Sequence, residues 1–221
     1  MSWRDTPIHF VDFEGGRVCG ILEFGVVTLR GGAVESVRTG LCRPLGRIPA
    51  EDSEIHGLRE ADLAQQRLFS EEWEFFARLR ETGPLAAHFA GVENGLLKSV
   101  WPYPRTAPDF AQPGRSAGEW GPWIDTGRLY PQFFPEHDSA RLESLVQASG
   151  LAAELSREAE QWCPPPRRRF HAALYDALAG SLLLLTLLRR PEFEPATIPW
   201  LLQMSTLNPD KRRAMQQGGL F

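Results

Sequence analysis

The hydrophobic positions fall into two regimes. Residues 8–16, 18–29 and 33–42 are β-rich runs, and Arg30-Gly31-Gly32 between the last two reads as a tight turn, so the three predict an antiparallel meander. From residue 70 onward the apolar positions take helical spacing. Phe69, Trp73, Phe76 and Leu79 predict a helix capped by Ser70 and stopped by Gly83. Residues 85–88 then read as a short buried strand, which begins an αβ alternation and implies a mixed sheet with a parallel pair.

Residues 45–53 read as a loop, followed by a short helical region over residues 54–64. Residues 91–100 predict a helix that places Glu93, Leu96 and Leu97 on one face. Residues 101–121, rich in Pro and Gly, predict an irregular surface excursion. Residues 123–126 read as the last strand, with helices expected over 139–149 and 151–160. The prolines at 164, 165 and 166 interrupt any helix, because proline lacks an N–H and restricts its predecessor. Residues 171–190 predict a long buried helix with the stripe Leu174, Leu178, Leu182 and Leu185, and a short helix is expected near residues 200–205.

Composition narrows the class. With 43% apolar and 24% charged residues in 221, the chain reads as globular, one domain over residues 1–190 with a C-terminal helix and tail over 191–221. Its net charge of −4 gives no global attraction to nucleic acid, so a polyanion partner needs a local patch such as Arg167, Arg168 and Arg169. Cys19, Cys42 and Cys163 are odd in number and form no Cys-x-x-Cys pair, which points to a reducing, cytoplasmic setting. The longest apolar run, residues 177–188, is too short to span a bilayer, so no membrane partner is expected.

Chemistry enters at the end of the first strand. Alternation along a strand puts Asp12 and Glu14 on one face and Phe13 on the other, a geometry that suits a hard divalent cation. An edge strand meeting solvent gives the same pattern. Glu23, an acid in apolar company, either approaches this pair or faces solvent. Further unexplained polar groups are His88 with Glu93, then Asp125, then His171 with Asp176. On one continuous helix His171 and Asp176 lie roughly 140° apart, so both can face one site only if His171 sits at or before the first turn.

Three motifs recur in a familiar order. Asp12-Phe13-Glu14-Gly15 is similar to Asp-x-Glu-Thr, His88-Phe89-Ala90-Gly91-Val92-Glu93 to His-Asn-Ala-x-Phe-Asp, and His171-Ala172-Ala173-Leu174-Tyr175-Asp176 to His-x-Ala-x-x-Asp. From about Ile8 to Leu188 the chain resembles the DEDDh 3′-to-5′ exonucleases, the proofreading-exonuclease branch of the ribonuclease H-like fold. Ile55-His56-Gly57-Leu58 and Asp125-Thr126 are further landmarks. The resemblance implies an α/β fold, a mixed five-stranded sheet flanked by helices. It also implies two Mg²⁺ or Mn²⁺ ions held by Asp12, Glu14, Glu93 and Asp176, with His171 as general base on the attacking water.

Under that resemblance the substrate is the 3′ end of DNA or RNA, more readily single-stranded, with Phe13, Gly15, Gly16, His56, Leu58 and Arg167 to Arg169 as binding residues. Phe13, Leu58, Trp120 and Trp123 are stacking candidates. The sequence departs from the pattern at Glu93 for Asp, Gly15 for Thr and Phe89 for Asn. The alternative function is a nucleic-acid-binding or assembly module with weakened catalysis. Residues 217–221, Gln217 through Leu220 and Phe221, look like the short peptides that bind bacterial sliding clamps.

Overall fold

In the computed structural model, which describes residues 1–206, the chain forms β1 (Ile8–Gly16), β2 (Gly20–Arg30), β3 (Ala33–Leu41), α1 (Ala50–His56), α2 (Glu60–Leu63) and α3 (Trp73–Thr82). These are followed by β4 (Leu85–Ala87), α4 (Gly91–Val100), β5 (Ala107–Pro108), β6 (Ser116–Ala117), β7 (Ile124–Asp125) and α5 (Thr126–Phe133). α6 (Leu142–Ala148), α7 (Ala152–Trp162), α8 (Ala173–Leu188) and α9 (Ile198–Met204) complete it. The clamp-like residues 217–221 lie outside the described residues.

The main sheet has five strands in the order β3-β2-β1-β4-β7. β1, β2 and β3 form the expected antiparallel meander, while β4 joins β1, and β7 joins β4, in parallel. The sheet is therefore mixed and flanked by helices, as the αβ alternation implied. Alternation along β1 sends Ile8 and Phe10 into a core shared with α8, and Val11 and Phe13 into an aromatic core on the other face with Phe69, Phe76 and Leu97. Each such side chain contributes roughly 1.5–3 kcal/mol of burial.

α8 packs on the sheet with almost nothing in between. A Cβ built on Gly25 of β2 would overlap the main chain of Ala173 and Leu174, and one on Gly180 would overlap the Phe10 ring. Glycine is thus required at both positions for this close approach.

Several elements differ from the sequence expectation. Ser70 does not cap α3; it lies within a 3₁₀ turn, Phe69–Glu72, that leads into the helix, and the Leu68 N–H is held instead by Glu71 Oε1 at 3.1 Å. α1 begins at Ala50, inside the expected loop. α5 was not expected, because Gly127 and Pro131 mask its period; burial of Leu129 and Tyr130 carries it. The excursion after residue 100 is more ordered than its composition suggests. Its β5–β6 ladder is pinned by Arg80, which donates to the carbonyls of Arg105 at 2.6 Å, Ala117 at 3.3 Å and Glu119. The prolines do end α7, then close one 3₁₀ turn, Pro165–Arg167. α8 starts at Ala173, so His171 precedes the helix.

Beyond residue 190 the chain stays on the same core. Ile198, Leu201 and Leu202 of α9 are buried with α8, and Ser2 bridges Thr197. Among the described residues no helix is long and apolar enough to cross a membrane.

Candidate metal centre

Three elements deliver the acids. β4 stops at Ala87, so the β1 amides beyond it have no strand partner on that side. The chain then turns through Phe89, at φ +60°, where Asp125 accepts from the backbone N–H groups of Phe89 at 2.9 Å and Ala90 at 3.1 Å. That turn starts α4 with Glu93 in its first turn, facing inward and 5% exposed. Glu93 accepts a hydrogen bond from the free Phe13 N–H, which ties α4 to β1 between Asp12 and Glu14. Asp125 is itself held by Arg128 at 2.9 Å, and His88 bonds Thr126 Oγ1 at 2.9 Å and the Ala140 carbonyl at 2.8 Å; both groups serve the turn.

α8 brings the third contribution. His171, exposed and at φ +60°, is folded back over the helix start, and its backbone N–H donates to Asp176 Oδ2 at 3.0 Å. This is how the two residues meet despite their spacing. One ligand atom each from Glu14, His171 and Asp176 lie within 4.8 Å of one another.

The electrostatics are those of a site built for a cation. Burial is the largest influence on each acid, and the neighbouring carboxylates add to it. Glu14 and Glu93 are pushed up to about 8 and Asp176 to about 7, while Asp12 rises well above the usual carboxylate range. Glu93 Oε2 and Asp176 Oδ1 are buried without a partner. Buried acceptors normally find donors, so four crowded carboxyls with two such oxygens fit a divalent ion with oxygen ligands.

Glu23 resolves to the near side of the alternative. It lies on β2 opposite Glu14, is 3% exposed, and forms an ion pair with Arg167, whose Nε donates to Oε1 at 3.0 Å. Sequence gave Glu23 no definite role, since its partner lies 144 residues away and no local pattern links them.

The expected substrate-binding residues divide. Arg167 turns inward, where the buried Glu23 carboxylate takes its guanidinium. Arg168 and Arg169 remain exposed, Arg168 donating to the Cys163 and Glu160 carbonyls and Arg169 to His56 O at 2.9 Å. Phe13 and Leu58 are buried, as are Trp120 and Trp123, so none presents a ring or side chain for stacking. His56 is buried, with Nδ1 accepting from the Leu58 N–H at 3.0 Å. Gly15 sits at φ +130° in a bulge between β1 and β2, where a Cβ would overlap the Gly20 carbonyl. The Thr of the family motif therefore has no room here.

Solved structures with the same architecture identify the scaffold. Exonuclease X in complex with 5′-overhanging duplex DNA aligns with a TM-score of 0.63 at 20% identity, covering 88% of this chain and 99% of that one. The fold is that of the DEDDh exonucleases. The nuclease domain of 3′hExo, a DEDDh family member bound to rAMP, aligns with a TM-score of 0.59 at 15% identity over 86% of this chain and 94% of that one. E. coli exonuclease I in complex with a dT13 oligonucleotide gives 0.59 at 13% identity, over 85% of this chain and 42% of the longer partner. No family profile and no curated protein matches the sequence. On this scaffold Asp12 and Glu14 lie in the second half of β1, and Glu93 and Asp176 in the first turns of α4 and α8.

Proposed function

We propose that the protein is a divalent-metal-dependent 3′-to-5′ exonuclease that hydrolyses phosphodiester bonds at the 3′ end of DNA or RNA. The observation that carries this reading is the meeting of four mutually repelling carboxylates, two of them with unpartnered oxygens, beside an exposed histidine. Asp12, Glu14, Glu93 and Asp176 would hold Mg²⁺ or Mn²⁺. Two such ions, when bound, neutralise the phosphate and lower the pKa of the attacking water.

The chain's own residues supply the rest. His171 lies at solvent's edge next to Glu14 and Asp176, where its ring takes the proton from the attacking water. Asp176 fixes the His171 main chain through the 3.0 Å bond, so one residue both holds cation and aims the base. Glu93 spans to the Phe13 amide and keeps its second oxygen free for the cation.

The test is digestion of end-labelled single-stranded DNA and RNA with Mg²⁺, with Mn²⁺ and with chelator. Shortening from the 3′ end that needs divalent metal is expected, and Asp12→Asn should abolish it while leaving the fold intact. Wild-type activity persisting in excess chelator would overturn the metal mechanism. Binding without hydrolysis in every metal would instead support the alternative of a nucleic-acid-binding module.

A further inference from the structure

Next to the acid cluster, where its charge adds to those on Asp12, Glu14 and Asp176, Glu23 forms a closely bonded pair with Arg167. Both Glu23 oxygens are occupied: Oε1 accepts from Arg167 Nε at 3.0 Å, and Oε2 from Arg167 Nη2 and from the Ala173 N–H at 3.1 Å. Arg167 in turn donates to the His56 carbonyl at 2.6 Å through Nη1 and to the His171 carbonyl at 3.1 Å through Nη2. The guanidinium fork thus joins β2, the end of α1 and the segment before α8.

His171 lies between these anchors. Its N–H is held by Asp176, its carbonyl by Arg167, and the N–H two residues on by Glu23. A non-glycine residue at φ +60° persists only where its surroundings fix it, and these three bonds do so. Glu23 also places a negative charge at the start of α8, where first-turn N–H groups lack helical partners. With every oxygen engaged, Glu23 is set apart from Glu93 and Asp176, which each keep a free one.

We infer that Glu23 and Arg167 are positioning residues that clamp the His171 segment, and that neither binds metal or substrate. The clamp rests on the exonuclease reading for its effect on turnover, but its effect on the His171 segment does not need that reading.

Two variants test it. The double variant Glu23→Gln/Arg167→Gln leaves the net charge unchanged and removes the clamp. Arg167→Lys keeps the ion pair but cannot reproduce the bridging fork, because an ammonium is a point donor. Three measurements are made on the full chain: ¹H–¹⁵N spectra without metal, Mn²⁺ binding by calorimetry, and kcat and KM on a 3′-labelled oligonucleotide. The His171 and Ala173 amide resonances should move or broaden in both variants. Mn²⁺ affinity and KM should stay within about threefold of wild type, while kcat falls about ten- to hundredfold, the loss typical of a misplaced reacting group.

An unchanged His171 amide, or an unchanged kcat, in Arg167→Lys overturns the clamp. A greater than tenfold loss of Mn²⁺ affinity in the double variant would make Glu23 a ligand and overturn it. A raised KM with kcat intact would return Arg167 to the substrate. If wild type cleaves no oligonucleotide, the exonuclease reading fails and the amide spectra alone decide the clamp.

Discussion

Glu93→Gln should make the metal-free protein more stable and the enzyme inactive. Burial, with the Glu14 and Asp176 carboxylates adding to it, raises the Glu93 acid from 4.5 to about 8. Its pKa is higher in the folded state, so folding binds a proton. The stabilisation is fully present below pH 4.5 and is lost as pH rises through 8. At pH 7 the shortfall relative to low pH is roughly 3 kcal/mol, from 1.36 kcal/mol per pH unit above the unfolded value, and above pH 8 it approaches roughly 5 kcal/mol. Glutamine does not titrate. Its carbonyl can keep the Phe13 N–H bond and its amide can donate to a neighbouring carboxylate, so little is lost in exchange.

Urea unfolding of both proteins in chelator at pH 5, 7 and 8.5 reads this directly. The variant should match wild type near pH 5 and exceed it by roughly 3 kcal/mol at pH 7, about 6–12 °C in Tm for a domain of this size. Added Mg²⁺ should raise the wild-type Tm and leave the variant nearly unmoved, as expected when a ligand binds only the native state. Glu93→Asp differs in kind: retracting the carboxylate about 1.5 Å abandons the Phe13 N–H, which costs about 1–3 kcal/mol and lowers activity. A Gln variant as active as wild type, or less stable than wild type in chelator at pH 8.5, refutes the reasoning.

Other outcomes follow from the same geometry. Mn²⁺ affinity should climb between pH 6 and 8.5, because Glu14, Glu93 and Asp176 hold protons up to about 8, 8 and 7 and must release them; a binding enthalpy independent of buffer ionisation would contradict this. Mn²⁺, with looser geometric demands, should support at least as much turnover as Mg²⁺ at a site that uses Glu93. Gly15→Ala should destabilise by about 3 kcal/mol, through φ +130° and the overlap with Gly20, measured by denaturant unfolding; a loss within error would mean that the bulge relaxes. Arg167→Gln strands a buried carboxylate and should cost about 3–5 kcal/mol, much of it recovered by adding Glu23→Gln; strictly additive losses would show the two to be independent.

Much of the site was legible because it rests on local rules. Alternation alone put Asp12 and Glu14 on one face opposite Phe13, and helical spacing put Glu93 with Leu96 and Leu97. The spacing of His171 and Asp176 allowed both to face one site only if the histidine sat at or before the first turn; the helix expected from residue 171 in fact begins at Ala173 and leaves His171 ahead of it. What sequence did not reveal depends on contacts between distant residues. Arg167 reads as one of three adjacent substrate-facing cations, because nothing local shows that Glu23, on the second strand, pairs with it. Phe13 and Leu58 could be assigned to a binding surface only while their packing partners were unknown. α5 was hidden because Gly127 and Pro131 carry poor helical propensity, and tertiary burial of Leu129 and Tyr130 outweighs it.

The two missing side chains at Gly25 and Gly180 also settle what may vary in this protein. The helix that delivers Asp176 is indexed to the sheet by main chain and one phenyl ring, not by the thickness of a side-chain layer. Changes of core volume around α6, α7 or α9 can then be absorbed by those helices without a lever on the acid cluster. Trimming Leu155 or Leu201 should cost stability and leave kcat alone, whereas a single methyl at Gly25 should push back the start of α8, and Asp176 with it, and lower kcat. Two positions hold the reference distance, and the rest of the interior is free to drift.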